Sequence, residues 1–406
     1  MGDVRYPDGR GHSHGRLILP SLIFSFFATY PASVVTSLLL IEMGLTFDRP
    51  IGVMAQMKTI SSIVALLSAS ALGALSIRFK AKTLLLVGLL FLSVSALGSG
   101  SASSLETLFI FYAITGLGTS MVEPMVSTLI AEHFPVERRP KIVGWVNAGG
   151  GLSYIVGASA IGFIAGVWGW RMAFLGYAMI LPLLAFLLSY LGLPSLDREP
   201  RTSQLNLTEG FKAILSNRSA VACLLGNFLA SAMGMGIYFY SFSFLRESYQ
   251  MTPGWTAIVF STASVCFFLG SLVSGTFIDR LGRKTATISS LLLFSLSTIL
   301  YTNLAYIWLG VALTILGHMF GALQYSASGS LSLEQVPRFR GSMMSINSAA
   351  GYSGVALGTA LGGFMLISFN WSTLGMVLGA IGIVGAIIYH TFALDQTTTQ
   401  PKTKST

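Results

Sequence analysis

Apolar residues run through this chain in blocks close to the length of about 20 residues that a helix needs to cross hydrocarbon. The blocks cover 17–43, 52–78, 82–101, 105–133, 140–167 and 170–193. After a break they resume at 218–246, 253–279, 284–303, 306–334, 340–367 and 371–394. The pattern predicts twelve membrane-spanning helices, six on each side of a polar linker at 194–217, joined mostly by loops of under ten residues. The tail 1–16 is polar. The first block is longer than a signal-peptide core and no small-residue cleavage site follows it, so it reads as a retained span.

Composition agrees with that reading. Of 406 residues, 53% are apolar or aromatic and 10% are charged, against about 25% charged in soluble proteins. Mean hydropathy is +0.72. A water-soluble enzyme of this size could not hide so much apolar surface. The 24 Lys and Arg exceed the 15 acids by nine, a surplus that would suit nucleic acid only if it clustered on one folded face. Its placement points to topology instead. With the N-terminus inside, 20 of the 24 fall on inner segments: Arg5, Arg10, Arg16, Arg78, Lys80, Lys82, Arg138, Arg139, Lys141, Arg198, Arg201, Lys212, Arg218, Arg280, Arg283, Lys284, Arg338, Arg340, Lys402 and Lys404. Arg49, Arg171 and Arg246 fall outside, and Lys58 lies within a span. Cys223 and Cys266 sit inside spans and read as core side chains with no disulfide role. His12 and His14 belong to a Gly-rich tail, either simply solvated or a weak metal holder.

An internal repeat organises the chain. At an offset of 201, Arg139 aligns with Arg340, Gly150 with Gly351, Gly157 with Gly358, Phe163 with Phe364 and Trp170 with Trp371. Slipped to 202, Glu132 aligns with Glu334, Gly73 with Gly275, Arg78 with Arg280 and Lys82 with Lys284. Parallel repeats with a substrate at their interface describe a rocking transporter. In the linker, Asn206-Leu207-Thr208-Glu209 precedes Phe211, Ile214 and Leu215. The segment is either a plain tether or a short amphipathic helix on the inner membrane surface, capped by Asn206 or Thr208.

The run Gly275-Thr276-Phe277-Ile278-Asp279-Arg280-Leu281-Gly282-Arg283-Lys284 resembles the signature loop of the major facilitator superfamily, here between the eighth and ninth spans. Gly169-Trp170-Arg171-Met172-Ala173-Phe174 is similar to that family's entry to the sixth helix. The resemblance implies an all-α integral membrane protein with twelve transmembrane helices in two pseudo-symmetric six-helix halves. The halves are 17–193 and 218–394, with inner tails at 1–16 and 395–406. Asp279 can meet the positive N-terminus of a neighbouring helix, and Arg280, Arg283 and Lys284 are within reach of Glu334 and of lipid phosphates. By resemblance this cluster, with Arg340 and the first-half residues Arg78, Glu132 and Arg139, latches the inner side; the alternative is that the charges only fix topology. The first-half copy places Ile77 where Asp279 stands and Lys80 where Gly282 stands, so the latch is expected to be asymmetric. The chain is closest in style to the drug:proton antiporter and sugar efflux branch. It departs from the antiporter pattern at Tyr112, where an Arg is usual, and at Gly157-Ala158, where Gly-Pro is usual.

In this fold the first, fourth, seventh and tenth spans line the cavity. Ser25, Thr29, Ser33 and Thr36 form a polar stripe on the first, and Thr115, Thr119 and Glu123 one on the fourth. Asn227, Ser231, Gly234 and Tyr238 form one on the seventh, and His318 and Tyr325 share a face of the tenth. The same small polar residues also serve helix packing. Ionisable groups deep in a bilayer are functional hypotheses by default. Glu123, followed by Pro124, either binds a proton and a cationic substrate in turn, hydrogen-bonds a neutral one, or is a structural carboxyl. His318 either relays protons, contacts substrate or packs. Lys58 with Glu42 is a structural or gate-like pair near the outer side, with snorkelling of Lys58 the alternative. No Arg or Lys stands at the centre of a cavity-lining span, which argues against small carboxylates and sugar phosphates. Aromatics from Tyr238 to Phe244, with Met233, Met235 and Met319 nearby, suit hydrophobic or cationic ligands.

The expectation is therefore a multi-pass transporter of the plasma or inner membrane, both termini inside, that exports an amphipathic neutral or cationic molecule coupled to inward proton flow. The alternatives are an uncoupled sugar or metabolite exporter and a receptor on the same scaffold. No metal spacing, phosphate loop or nucleophile–base pair suggests an enzyme, a metal or a cofactor. Nucleic acid is not an expected partner; membrane lipids are, and the family usually works as a monomer.

Overall fold

The structure, a computed structural model, describes residues 17–135, 138–194 and 207–395. The tails with His12 and His14, and the linker stretch with Asn206, lie outside the described residues. The helices are α1 (Ile18–Phe27), α2 (Pro31–Phe47), α3 (Ile51–Met54), α4 (Gln56–Arg78), α5 (Ala81–Ser101), α6 (Leu105–His133), α7 (Arg139–Trp168), α8 (Trp170–Ala173) and α9 (Ile180–Gly192). Then come α10 (Leu207–Ser216), α11 (Arg218–Ser248), α12 (Pro253–Leu281), α13 (Arg283–Asn303), α14 (Ile307–Leu333), α15 (Arg340–Ser368) and α16 (Trp371–Phe392). Among the described residues there is no strand, and twelve segments are long and apolar enough to cross a membrane. The twelve-span expectation is met.

Two spans are interrupted for readable reasons. Pro31 has no N–H to donate and disfavours helical backbone at Tyr30 before it. The chain accordingly leaves α1 through a tighter turn, with Thr29 N–H donating to Phe26 O at 3.2 Å and Tyr30 N–H to Phe27 O at 3.5 Å. It then restarts at Pro31 as α2. The sixth span passes from α8 through a π-helical turn, Phe174–Ala178, into α9.

By packing, the described chain divides into two compact units. One contains Met1–Thr36 and Val64–Pro200, the other Ser37–Ile63 and Arg201–Thr406. In the first unit, α5 and α6 meet where an added Cβ on Gly118 would lie 2.9 Å from Gly88 O. Leu85, Leu89, Leu92, Val122 and Val126 close the core around them. Ser95 and Thr115 share a hydrogen bond of 2.6 Å there. Lipid tails are as apolar as leucine, so such close approach and buried hydrogen bonding hold helices together where a hydrophobic drive is missing.

In the second unit the tightest pair is α11 with α15. Added Cβ atoms on Gly354 and Gly358 would collide with Phe228 O and Ala232 O, and Tyr240 donates to Thr359 O at 2.7 Å. Residues 37–63 belong to this unit through three bonds. Glu42 pairs with Arg246 at 2.6 Å, Gln56 Nε2 donates to Ala360 O at 3.4 Å, and Thr59 and Thr359 share a 2.8 Å bond. α10 buries Ile214 and exposes Phe211 and Leu215. The Asn217 side chain caps α11, accepting from Ser219 and Ala220 N–H.

Gly358→Ala should lower the thermal midpoint of the purified chain in detergent by several degrees, because overpacking of this kind costs about 1–3 kcal/mol. Gly166→Ala, where an added Cβ meets nothing within 4 Å, should leave the midpoint unchanged or slightly raised. Equal midpoints for the two variants would contradict the packing account.

Candidate functional site

Glu123 lies on α6 and is half-buried. α6 runs unbroken through Pro124. The Tyr30 hydroxyl donates to Glu123 Oε1 at 3.2 Å, and Tyr30 reaches it because the turn before Pro31 ends α1 there. The Tyr30 ring packs edge-on against Phe26 at 5.5 Å and tilted against Tyr154 of α7 at 5.1 Å. α7 comes this close because it carries Gly149 and Gly150. An added Cβ at Gly150 would lie 2.8 Å from Phe26 and 3.1 Å from Tyr30. The result is one carboxylate bonded to a tyrosine whose ring packs against two further aromatic rings. Such a group can hold a cation by charge and by ring faces, or a neutral donor by hydrogen bonding.

His318 on α14 is 7% exposed. Its Nδ1 lies 2.7 Å from Thr314 O. The ring meets Tyr238 at 5.5 Å and Phe242 at 6.1 Å between centroids, and Phe260 of α12 stands 4.1 Å from Phe242. Tyr325 shares the helix face but is 73% exposed. Seven residues separate the two by about 20° around the helix and about 10.5 Å along it, so burial here changes along the face.

Several other stripe residues make hydrogen bonds within the protein. Ser25 bonds Ser189 at 2.8 Å, and Thr29 and Thr36 donate to carbonyls of their own helix, at Ser25 and Ala32. Thr29 and Ser33 are buried. Thr119 donates to Gly116 O at 3.2 Å and Asn227 to Asn347 O at 2.9 Å. Lys58 is half-buried, while the Glu42 carboxylate is held by Arg246, a residue whose sequence position suggested only an interfacial role.

Among the charged residues at the helix ends, Glu334 is the centre. It takes Arg340 at 3.2 Å and Arg283 at 3.5 Å. Asp279, Arg280 and Arg78 are exposed and Lys284 half-buried. The carboxylate at the N-terminus of α13 is Asp395, whose Oδ2 accepts from Lys284 N–H at 3.1 Å. The turn before α13 uses Gly282 at φ 79°, a left-handed value that suits glycine. Its repeat counterpart Lys80 adopts φ −65° instead. Arg139 donates to Phe134 O at 2.9 Å and Ala131 O at 2.7 Å, finishing α6 through backbone carbonyls; Glu132 is half-buried beside them. Outside the spans, Tyr249 donates to Leu304 O at 2.8 Å, and burial raises its pKa, keeping it a donor.

Sequence reasoning missed Tyr30, Phe26, Tyr154, Gln335 and Asp395. The Tyr30-Pro31 pair was the one legible signal, marking a break next to a tyrosine. Gln335 ties the same end of the second unit together, accepting from Asn217 at 3.0 Å through its carbonyl and donating to Leu394 O at 3.0 Å.

Comparison with known proteins completes the picture. The profile of the Major Facilitator Superfamily matches residues 21–261 and again 224–406. Multidrug resistance protein 1 of Bacillus subtilis (strain 168) is 29% identical over 232 residues, which are 57% of this chain and 57% of that protein, so the chain spans little more than half of that relative's length. The cis,cis-muconate transport protein of Acinetobacter baylyi is 25% identical over 335 residues, 77% of this chain and 78% of that one. The crystal structure of a D-xylose-proton symporter superposes with a TM-score of 0.78 at 15% identity, covering 95% of this chain and 99% of that one. With both halves matched by one profile and twelve candidate spans in the described chain, this multi-pass membrane protein belongs to the Major Facilitator Superfamily of transporters.

Proposed function

We propose that this chain exports an amphipathic neutral or cationic small molecule by alternating access, driven by inward proton flow. Both termini face the cytoplasm in this reading, as the distribution of Lys and Arg supports. One observation carries the substrate class: the Glu123 carboxylate accepts from Tyr30 within an aromatic group completed by Phe26 and Tyr154. A carboxylate at mid-span is the one group there that can exchange a proton for an organic cation, and flanking rings favour the cation's apolar body. The name of the multidrug resistance relative supports the same class. The muconate transporter's name favours a second reading, a metabolite carrier, which an excess of muconate competing for flux would reveal.

The Glu334 cluster is the latch of this proposal. Its two arginines come from the helices on either side of α14, α13 and α15, so one carboxylate ties three helix ends. Partly exposed pairs of this kind contribute about 1 kcal/mol or less each, weak enough to break and re-form in every cycle.

Two expected outcomes follow in reconstituted liposomes. Under an imposed pH gradient, Glu123→Gln should cut flux of a lipophilic cation by about tenfold or more, the scale of one lost charge-assisted contact. Tyr30→Phe, which keeps the ring and removes the donor, should fall between that variant and the parent. Unchanged flux in Glu123→Gln would sink the carboxylate's role. For the latch, Glu334→Gln should slow flux several-fold while costing under about 1 kcal/mol of stability. Flux and stability falling in parallel would mark a structural tie instead.

A further inference from the structure

His318 carries one hydrogen-bonding atom that the fold does not use. Its Nδ1 faces the Thr314 carbonyl at 2.7 Å. A carbonyl oxygen only accepts, so Nδ1 holds the proton, and Nε2 of the neutral ring is an acceptor. That Nε2 is buried and has no hydrogen-bond partner among the described residues. Buried polar atoms are almost always satisfied, and hydrocarbon supplies no water to make up a missing partner. A histidine kept for packing alone would be replaceable by phenylalanine, with no orphaned acceptor.

The surroundings of Nε2 define what it would accept from. Tyr238 stands 5.5 Å from the imidazole at 61°, and Phe242 stands 6.1 Å away. Phe260 backs both, 5.7 Å from Tyr238 and 4.1 Å from Phe242. Phe242 and Phe260 are fully buried, and Tyr238 is half-buried. Of the three rings, Tyr238 is the one that is not fully buried, and so the first that a ligand ring would displace.

We propose that His318 Nε2 accepts a hydrogen bond from an N–H or O–H group on an aromatic substrate, whose ring replaces that of Tyr238 against Phe242 and Phe260. This rests on the amphipathic-substrate reading above and deepens it by naming a donor group that the substrate carries. A site built to accept a hydrogen bond discriminates strongly against an analogue that lacks the donor.

Two permanently charged aromatic cations separate the roles. Ethidium carries aryl-amine N–H groups; tetraphenylphosphonium carries none. Their binding to the purified full chain in detergent is measured by titration calorimetry. His318→Phe should weaken ethidium by about five- to tenfold, the scale of one hydrogen bond to a buried acceptor, and leave tetraphenylphosphonium unchanged. His318→Gln, whose amide oxygen can accept, should restore most of the ethidium affinity. Equal weakening of both cations by His318→Phe would assign the residue to packing, and no weakening of either would show that Nε2 meets no ligand; each result overturns the proposal. Glu123→Gln that spares both cations would remove the charge reading while the His318 comparison stands. A parent chain that binds neither cation would remove both.

Discussion

Hydrocarbon offers no hydrogen bonds, and nearly every feature of this chain follows from that constraint. Backbone groups must be satisfied within each span, which leaves helices as the available form for twelve apolar segments. Side chains face the same demand. Serine and threonine hydroxyls turn back onto their own helix, as Thr36 does onto Ala32 O and Ser93 onto Leu89 O, or pair across helices, as Ser95 does with Thr115. Attraction between helices then comes from close backbone approach, and the glycines of α15 against α11 supply it. Among the described residues a few buried side-chain atoms are left without a hydrogen-bond partner, and His318 Nε2 is one of them.

The same constraint explains how much could be read in advance. Span length and number were legible because thickness fixes them, and the repeat was legible because glycines and charges at helix ends held register over about 200 residues. The polar stripes were legible as stripes only. Hydroxyls at helical spacing are equally suited to lining a cavity, to sealing a helix contact as Ser25 does with Ser189, and to turning back onto their own segment as Thr29 and Thr36 do. Which partner a lone ionisable group meets was not legible at all. Tyr30 and Glu123 are 93 residues apart, Glu42 and Arg246 meet across still more chain, and no local pattern encodes either pairing. Asp395 likewise meets the N-terminus of α13 from 111 residues away in sequence.

The repeat copies show where a shared ancestral pattern has come apart. Gly282 permits a left-handed turn before α13, and Lys80, without that freedom, enters α5 through extended backbone. Arg340 is paired with a carboxylate, whereas its counterpart Arg139 is spent on the carbonyls that end α6. An arginine bound to two carbonyls of its own chain segment gains geometry but no neutralisation. It stays put, whereas an arginine on a half-buried carboxylate shared with a second arginine can exchange partners. The asymmetry is therefore one of mobility as much as of charge.

Glu123 and His318 differ in kind as chemical groups. A carboxylate beside a tyrosine hydroxyl and ring faces reads net charge at a distance and tolerates many shapes, because ring and Coulomb contacts fall off gradually. An imidazole with Nδ1 fixed and one remaining lone pair reads a single direction, because hydrogen bonds weaken steeply off axis. Glu123 lies in a unit whose aromatic neighbours come from α1 and α7, and His318 in one whose neighbours come from α11 and α12. Divergence at these positions carries no packing penalty in the other copy, because neither aromatic group shares a residue with the other.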